Sequence, residues 1–156
     1  MYAVCLRYAR RSSDAADILQ DGFIKVFGNL TNYRGDGSFE GWIRRIMVNT
    51  ALRMYQRHRF KFEETGVEAG WHDSAVDPDA LAQLSEAEML KLVGDLPEGY
   101  RIVFNLVAIE GYSHAETADL LGIEESTSRS QLTKARRQLV RQVEQKTSFG
   151  LQKKVA

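Results

Sequence analysis

Apolar residues recur along most of the chain at the three- and four-residue spacing of an amphipathic α-helix. No β-branched alternating run of strand length interrupts this pattern, and only two prolines occur in 156 residues. The sequence therefore predicts an all-α protein. The predicted helices cover residues 2–11, 14–30, 39–59 and 80–93, followed by one that begins at Pro97 and ends at Gly111.

The helix predicted at residues 14–30 has two distinct faces. Its apolar stripe, interpreted as core, consists of Ile18, Phe23, Val26, Phe27 and Leu30. Its polar face consists of Asp14, Asp17, Gln20, Asp21 and Lys25.

The helical pattern fails over EETGVEAGWHDSAVDPD, which is acidic and contains two glycines and a proline. We interpret residues 63–79 as a linker between two small helical domains, residues 1–62 and residues 80–156. An acidic tether of this kind is either a solvated spacer, which we favour, or a shield over basic surfaces.

The second domain contains the most specific local signal, SHAETADLLGIEESTSRSQLTKARRQLVRQV. Ser113 followed by Glu116 is a capping-box signature that predicts a helix start, and Gly122 predicts its end about two turns later. A longer basic helix then begins near Glu125 or Ser126. This order is typical of a helix-turn-helix, whose second helix enters the DNA major groove.

Charge is strongly segregated although the chain has 21 basic and 21 acidic side chains. The net charge is +1 for residues 1–37, +5 for 38–62, −9 for 63–100, −4 for 101–125 and +7 for 126–156. Two basic blocks separated by acid indicate two separate surfaces for polyanions.

The first basic block, SFEGWIRRIMVNTALRMYQRHR, combines five arginines with aromatic and aliphatic residues. Proteins that hold single-stranded DNA neutralise phosphates with basic side chains and stack unpaired bases on aromatic ones. Trp42, Ile43 and Ile46 are interpreted as core, and Arg45, Asn49 and Arg53 as facing DNA.

Little in the composition favours an enzyme. Cys5 is the single cysteine, which excludes an internal disulfide and is typical of a reducing compartment. His58, His72 and His114 lack metal-ligand spacing, no nucleophile–base set is evident, and His72 among acids is interpreted as solvated. No signal peptide or membrane-length apolar run is present. We therefore expect a cytoplasmic protein without cofactor, metal site or membrane insertion.

Two long segments in series resemble the extracytoplasmic-function (ECF) sigma factors, promoter-recognition subunits of bacterial RNA polymerase. DAADILQDGFIKVFGNL and YRGDGSFEGWIRRIMVNTALRMYQR resemble sigma region 2, and LPEGYRIVFNLVAIEGYSHAETADLLGIEESTSRSQLTKARRQL resembles region 4. The resemblance implies binding to core RNA polymerase and promoter-specific initiation, with catalysis left to the polymerase. The implied partners are promoter DNA, the clamp helices of the largest polymerase subunit, the flap of the second largest, and an anti-sigma factor.

The resemblance also implies site residues in region 2. Those expected at the melted minus-ten element are Gly35, Asp36, Gly37, Ser38, Arg45, Asn49 and Arg53, of which the first four belong to a loop that captures a flipped base. Those expected at the polymerase are Asp17, Gln20, Asp21 and Lys25, because acids on this face can pair with partner arginines.

In region 4 the early turns of the basic helix are expected to be exposed and to read the minus-thirty-five duplex. The residues concerned are Arg129, Ser130, Gln131, Thr133 and Lys134, with Arg136 and Arg137 expected to grip phosphates. Glutamine can pair bidentately with adenine and arginine with guanine.

Three features depart from the family pattern. Family members usually have one further helix before Tyr2, so we expect either a trimmed start or a different packing of region 2. Thr117 and Ser128 replace aliphatic residues between the two helices of the helix-turn-helix, which predicts a looser pair. Gln131 and Thr133 are uncommon choices at their positions.

One alternative remains open from the sequence. A stand-alone helix-turn-helix regulator that binds duplex DNA without polymerase explains residues 96–145 equally well. It leaves the basic and aromatic stretch of region 2 unexplained.

Overall fold

The computed structural model describes the backbone of residues 1–62 and 86–154, and the side chains of residues 1–57 and 88–145. All regular elements within these ranges are helical, which confirms the all-α prediction. The chain divides into two compact units, Met1–Glu68 and Ala69–Ala156. The predicted linker at 63–79 lies outside the described residues, and its exact limits stay a prediction.

Within residues 1–62, the first unit has three α-helices, and each packs on the other two. They are α1 (Tyr2–Tyr8), α2 (Ser12–Gly28) and α3 (Phe39–Phe62), with a short 3-10 turn at Leu30–Asn32 between the last two. The side chains buried from α1 are Val4, Cys5 and Tyr8. Burial raises the pKa of the Cys5 thiol, so this cysteine is an inert core residue.

The buried stripe of α2 differs from the predicted one. Ile18 and Val26 are buried as expected, but the stripe is completed by Ala15 and Gly22. Phe27 is 69% exposed and Leu30 is 42% exposed, so their assignment to the core was wrong. Small residues let the backbone of α2 pack close to its neighbours. The bulky side chains of Phe27 and Leu30 point away from this contact and are consequently exposed to solvent.

The closest approach of α2 to α3 lies at Gly22. A Cβ at this position would lie 3.0 Å from Cε of Met47 and closer still to its sulfur. Met47 is fully buried, so its thioether occupies the space that a larger residue on α2 would need. Gly22 and Met47 thus set the distance between the two helices.

The buried face of α3 is formed by Met47, Val48, Ala51 and Leu52. Trp42, Ile43 and Ile46, interpreted from the sequence as core, are only half-buried. The apolar residues of the first turns of α3 therefore lie at the edge of the unit, where they remain accessible.

From residue 86 onward, the second unit contains four helices and one irregular turn. These are α4 (Glu86–Gly94), α5 (Glu98–Phe104) continued by a π-helical turn at Asn105–Ile109, α6 (His114–Leu121) and α7 (Glu125–Lys154). Its central core packs α4 against α7 through Leu92, Val93, Leu96, Ala135, Leu139 and Val143. The helix predicted to start at residue 80 is described only from Glu86.

Both signals that defined the helix-turn-helix are present in the structure. Ser113 accepts a hydrogen bond from the backbone N–H of Glu116, whose carboxylate accepts one from the backbone N–H of Ser113. Gly122 ends α6 in the left-handed conformation, with φ of 63°. These caps confirm the predicted start and end of α6.

We expect Gly22→Ala to destabilise the first unit. Alanine favours a helix over glycine by about 1 kcal/mol, but overpacking a filled core costs about 1–3 kcal/mol. Displacement of the buried Met47 thioether should therefore dominate, and urea unfolding followed by circular dichroism should show a lower midpoint.

Gly28→Ala provides the matched control, because a Cβ at Gly28 meets no atom within 4 Å. This variant should be neutral or slightly stabilised. In the double variant with Met47→Ala, the loss should be smaller than the sum of the two single losses, because the alanine at position 22 fills part of the space that the thioether leaves. A Gly22→Ala chain as stable as the wild type would contradict this account of the packing.

Candidate nucleic-acid interfaces

An open pocket of about 390 Å³ lies at the N-terminal end of α3. It is lined by Asn32, Tyr33, Arg34, Asp36, Gly37, Ser38, Gly41, Trp42 and Arg45. The structure thus brings together four of the residues predicted for the minus-ten strand, namely Asp36, Gly37, Ser38 and Arg45. Its volume lies within the range of small-molecule binding pockets, which is enough for one nucleobase.

The loop that forms one wall of the pocket is held by local hydrogen bonds. Gly35 and Gly37 have φ of 78° and 130°, a conformation that residues with a side chain rarely adopt. The hydroxyl of Tyr33 donates to the carbonyl of Gly37 at 2.7 Å, and Oγ of Ser38 accepts from the N–H of Gly41 at 3.0 Å. The loop is therefore fixed to the first turn of α3.

Three aromatic rings form a cluster at the pocket, and two of them, Tyr33 and Trp42, line it. Phe39 and Trp42 are stacked with centroids 5.7 Å apart, and Tyr33 lies 5.2 Å from Phe39 and 5.3 Å from Trp42. Phe39 is 45% exposed. A partly exposed aromatic cluster beside a pocket is a stacking platform for planar rings.

Arg45, Asn49 and Arg53 lie along one face of α3 at four-residue spacing, and all three are exposed. The face begins at the pocket, because Arg45 lines it. Beyond a planar ring bound in the pocket, the amide of Asn49 and the guanidinium of Arg53 would lie further along α3, one helical turn apart.

Lys25 of α2 lies beside this face of α3. Its Nζ donates to Oγ1 of Thr50 at 2.9 Å, and Oγ1 of Thr50 donates to the carbonyl of Ile46. Burial lowers the pKa of Lys25, and the charges of Arg53 and Arg57 lower it further, whereas Asp21 raises it. Lys25 therefore lies between Asp21 of α2 and the arginines of α3, and its contact with the polymerase stays a prediction.

The other predicted polymerase-facing residues, Asp17, Gln20 and Asp21, are exposed on α2. Next to them Ile24 is 62% exposed and Phe27 is 69% exposed, and Phe23 stacks on Phe27 with centroids 6.1 Å apart. An exposed apolar cluster bordered by acids is typical of a protein-binding surface.

In the second unit, α7 presents most of its predicted DNA-facing residues to solvent. The exposed ones are Arg129, Ser130, Thr133, Lys134, Arg136 and Arg137. Two of the hydroxyls are turned onto the backbone of α7, because Ser130 donates to the carbonyl of Thr127 and Thr133 donates to that of Arg129.

Gln131 does not share this exposed face. It is half-buried, and a Cβ added at Gly99 would lie 3.4 Å from its Oε1, so its amide packs against the first turn of α5. The expectation that Gln131 is exposed was therefore wrong. Its position on α7 points it towards α5 rather than outward.

The junction of α6 and α7 contains two buried hydroxyl groups, on Thr117 and Ser128. Oγ of Ser128 lies 2.9 Å from Nδ1 of His114, a hydrogen bond that links the two helices. Oγ1 of Thr117 is buried without a hydrogen-bond partner. The buried hydroxyl of Ser128 thus has a hydrogen-bond partner, whereas the buried hydroxyl of Thr117 has none.

Among the described side chains, no group of three His, Cys, Asp or Glu residues is arranged to hold a metal ion. None of the described helices combines the length and the apolar character needed to cross a membrane.

The chain matches two family models in series. Residues 1–61 match Sigma-70 region 2, and residues 86–139 match Sigma-70, region 4. An ECF RNA polymerase sigma-E factor of Escherichia coli K12 is 30% identical over 136 residues, which cover 80% of this chain and 71% of that protein. This chain belongs to the ECF sigma factor family.

Further relatives of this sigma factor include the ECF RNA polymerase sigma factor SigE of Mycolicibacterium smegmatis, 32% identical over 152 residues. The match covers 89% of the chain but only 55% of that relative, so the chain spans about half of its length. The structure is similar to the sigma factor RpoE solved with the anti-sigma factor NepR from Bartonella quintana, with a TM-score of 0.54 and 20% identity, covering 88% of this chain and 86% of that one. This likeness supports the fold.

Sequence reasoning missed several residues that the sigma factor fold gathers at its candidate sites. Tyr33 and Trp42 line the pocket, although Trp42 was interpreted as core and Tyr33, the first residue of the YRGDGSF loop, was not named among the site residues. The order of loop, glycine pair and aromatic residue just before a helix start was a usable signal for both. Nothing local indicated that Ile24 and Phe27 would be exposed, because their spacing fits a buried stripe equally well.

We expect Thr117→Val to stabilise the helix-turn-helix of this sigma factor. Valine keeps the branched shape and removes a buried hydroxyl that has no partner, which should raise the free energy of unfolding by about 1 kcal/mol. The measurement is the urea midpoint of the full chain, with amide exchange of α6 and α7 to locate the gain.

Ser128→Ala is the opposite case and should lower stability, because it deprives His114 of its partner. A Thr117→Val chain less stable than the wild type would mean that a water molecule satisfies the hydroxyl.

Proposed function

We propose that this chain binds core RNA polymerase and directs promoter-specific initiation in the cytoplasm. Region 2 engages the melted minus-ten strand, and region 4 engages the minus-thirty-five duplex. The chain contributes no bond-making chemistry of its own, which belongs to the polymerase. The observation that carries the proposal is the pocket of region 2, in which an aromatic platform, a fixed loop and Arg45 meet.

The pocket suits a base that has left the duplex. Unpaired bases gain stability by stacking on aromatic rings, at about 1–3 kcal/mol per base. The rings of Tyr33, Phe39 and Trp42 provide such a surface, and Asp36 and Ser38 add polar groups that can select among base edges. A base bound here would be separated from its partner strand, so its capture favours melting.

The strand leaving the pocket would follow the exposed face of α3. Asn49 can donate and accept hydrogen bonds with a base edge, whereas Arg53 neutralises phosphate. Because Lys25 lies beside Arg53 and Arg57, we assign it to DNA phosphates in addition to the polymerase.

The surface of α2 formed by Asp17, Gln20, Asp21, Ile24 and Phe27 is our candidate for docking on the clamp helices of the largest polymerase subunit. Apolar residues supply the desolvated centre of an interface, and surrounding acids give orientation towards basic partners. The flap of the second largest subunit is the proposed partner of region 4. An anti-sigma factor is proposed as a regulator, because the similar RpoE of Bartonella quintana was solved in complex with NepR.

A stand-alone regulator that binds only duplex DNA is the second candidate. The helix-turn-helix of the second unit would serve it equally well. Such a regulator has no use for a base-sized pocket beside stacked aromatic rings, so preference between single-stranded and duplex DNA separates the two candidates.

We expect Phe27→Glu to weaken binding to core RNA polymerase at least tenfold, because a charge would be introduced at the centre of the docking surface. Stability should change little, since Phe27 is 69% exposed. The affinity is measured with a fluorescently labelled chain and purified core enzyme, alongside thermal unfolding.

Tyr2→Glu, a similar change at an exposed aromatic residue of α1, should bind normally. If wild-type chain does not bind core enzyme, or if Phe27→Glu binds as well as wild type, the docking surface is rejected.

We expect the chain with core enzyme to prefer single-stranded non-template DNA of the minus-ten region, and Asn49→Ala to reduce this preference about tenfold. A good bidentate contact to a base is worth about 1–3 kcal/mol. Competition between specific and scrambled single strands measures the effect, because loss of a phosphate contact weakens both equally.

Gln145→Ala removes an exposed amide from α7, outside every proposed contact, and should leave the strand preference intact. Tight binding to duplex alone, with or without core enzyme, would favour the stand-alone regulator.

A further inference from the structure

Arg129 is held in the free chain by an acidic neighbour on its own helix. Nη2 of Arg129 donates to Oε1 of Glu125, four residues earlier on α7. The side chains are 65% and 46% exposed, so the pair stands on the outer surface of the recognition helix. Neither residue type nor exposure alone would indicate that the two are joined.

Other candidate readers in this part of α7 are already engaged. The hydroxyls of Ser130 and Thr133 donate to carbonyls of their own helix, and the amide of Gln131 packs against α5. The two hydroxyls can still accept, so donation to base edges by the first turns of α7 rests mainly on Arg129, together with the exposed Lys134. A group that orients the side chain of Arg129 therefore influences much of the base readout by α7.

The position of Glu125 is also unusual for a surface that meets DNA. It is the first residue of α7, where exposed backbone N–H groups and the helix dipole would otherwise attract a phosphate. Glu124 precedes it, so two carboxylates occupy this end of the helix. Their charge disfavours phosphate at the point where the recognition helix approaches the groove.

We propose that Glu125 is a specificity-determining residue of region 4, which presents Arg129 to a base edge and withholds it from phosphates. The inference rests on the proposed function, namely recognition of a minus-thirty-five duplex. A guanidinium has five N–H donors, so Arg129 can keep its bond to Glu125 and still form two bonds to O6 and N7 of guanine. The remaining carboxylate oxygen can accept from N4 of a cytosine.

Discrimination follows from competition between partners. On a duplex without guanine at the required position, Arg129 stays with Glu125 and contributes no phosphate contact. Without Glu125, the arginine is free to grip the backbone of any sequence. Glu125 therefore lowers binding to the wrong DNA more than binding to the right DNA.

The test uses the full chain assembled with core RNA polymerase and a library of randomised 30-base-pair duplexes. The most enriched duplex and a scrambled duplex of the same composition then serve as probes for wild type and for Glu125→Gln, titrated over a range of salt concentrations. Exposed ion pairs are worth little, so we expect two- to fivefold tighter binding of the scrambled probe by Glu125→Gln. The salt slope on that probe should rise by about one, as for one added phosphate contact.

Glu124→Gln is the matched control, since it removes the same charge from the adjacent position. It should tighten both probes alike, whereas Glu125→Gln should lower the ratio of specific to scrambled affinity and relax the enriched sequence at one base pair. Arg129→Ala should lose the preference at the same base pair.

Equal tightening of both probes by Glu125→Gln, or an enriched sequence unchanged from wild type, would overturn the role of Glu125 alone. A wild-type assembly that enriches no duplex sequence would instead overturn minus-thirty-five recognition, and the inference with it.

Discussion

The contact between Gly22 of α2 and Met47 of α3 is the constraint on which the first unit depends. Because the glycine lets the two helices approach closely, α3 buries Met47, Val48, Ala51 and Leu52, and the opposite side of that helix turns outward. That outward side carries Arg45, Asn49 and Arg53. The same close approach leaves the bulky residues of α2 outside, so one packing event creates both a basic surface and an apolar one.

In the second unit, local hydrogen bonds set the limits of the helices that surround a packed core. The cap at Ser113 and the left-handed Gly122 fix where α6 begins and ends, and the bond between His114 and Ser128 joins α6 to α7. The start of α7 relative to α6 is therefore set by groups that lie close together in sequence. Hydrogen bonds within α7 itself decide which of its side chains keep free polar groups on the outer surface.

Structural features that depend on a few neighbouring residues could be predicted from the sequence. Features that depend on packing between helices could not. The all-α class, both caps and the order of the helices follow from periodicity, proline and glycine, all of which act over a few residues. The buried stripe of α2 does not, because spacing allows either Phe27 or Gly22 to face the neighbour. Gly22 faces the neighbour because the side chain of Met47, which is distant in sequence, fills the space beside it. The exposure of Gln131 was not predictable from local sequence either, because it depends on contact with Gly99 of another helix.

The sequence predicted which segment forms the candidate site, but it did not predict the shape of the pocket. Residues 35–38 and Arg45 were found from resemblance, whereas the contributions of Tyr33 and Trp42 required knowing how the loop closes on the helix. Burial on α7 could be estimated from the helical repeat, but the turning of Ser130 and Thr133 onto carbonyls reflects a choice of rotamer that no pattern of residue types records.

Every residue that lines the pocket lies between Asn32 and Arg45, within one uninterrupted stretch of chain. The loop is tied to the helix that follows it by its own hydrogen bonds, so the shape of the cavity is encoded in a single short cassette. Under the proposed function, a gene exchange confined to about forty nucleotides would pass the preference for the captured base from one sigma factor to another, without changing the core that supports the pocket.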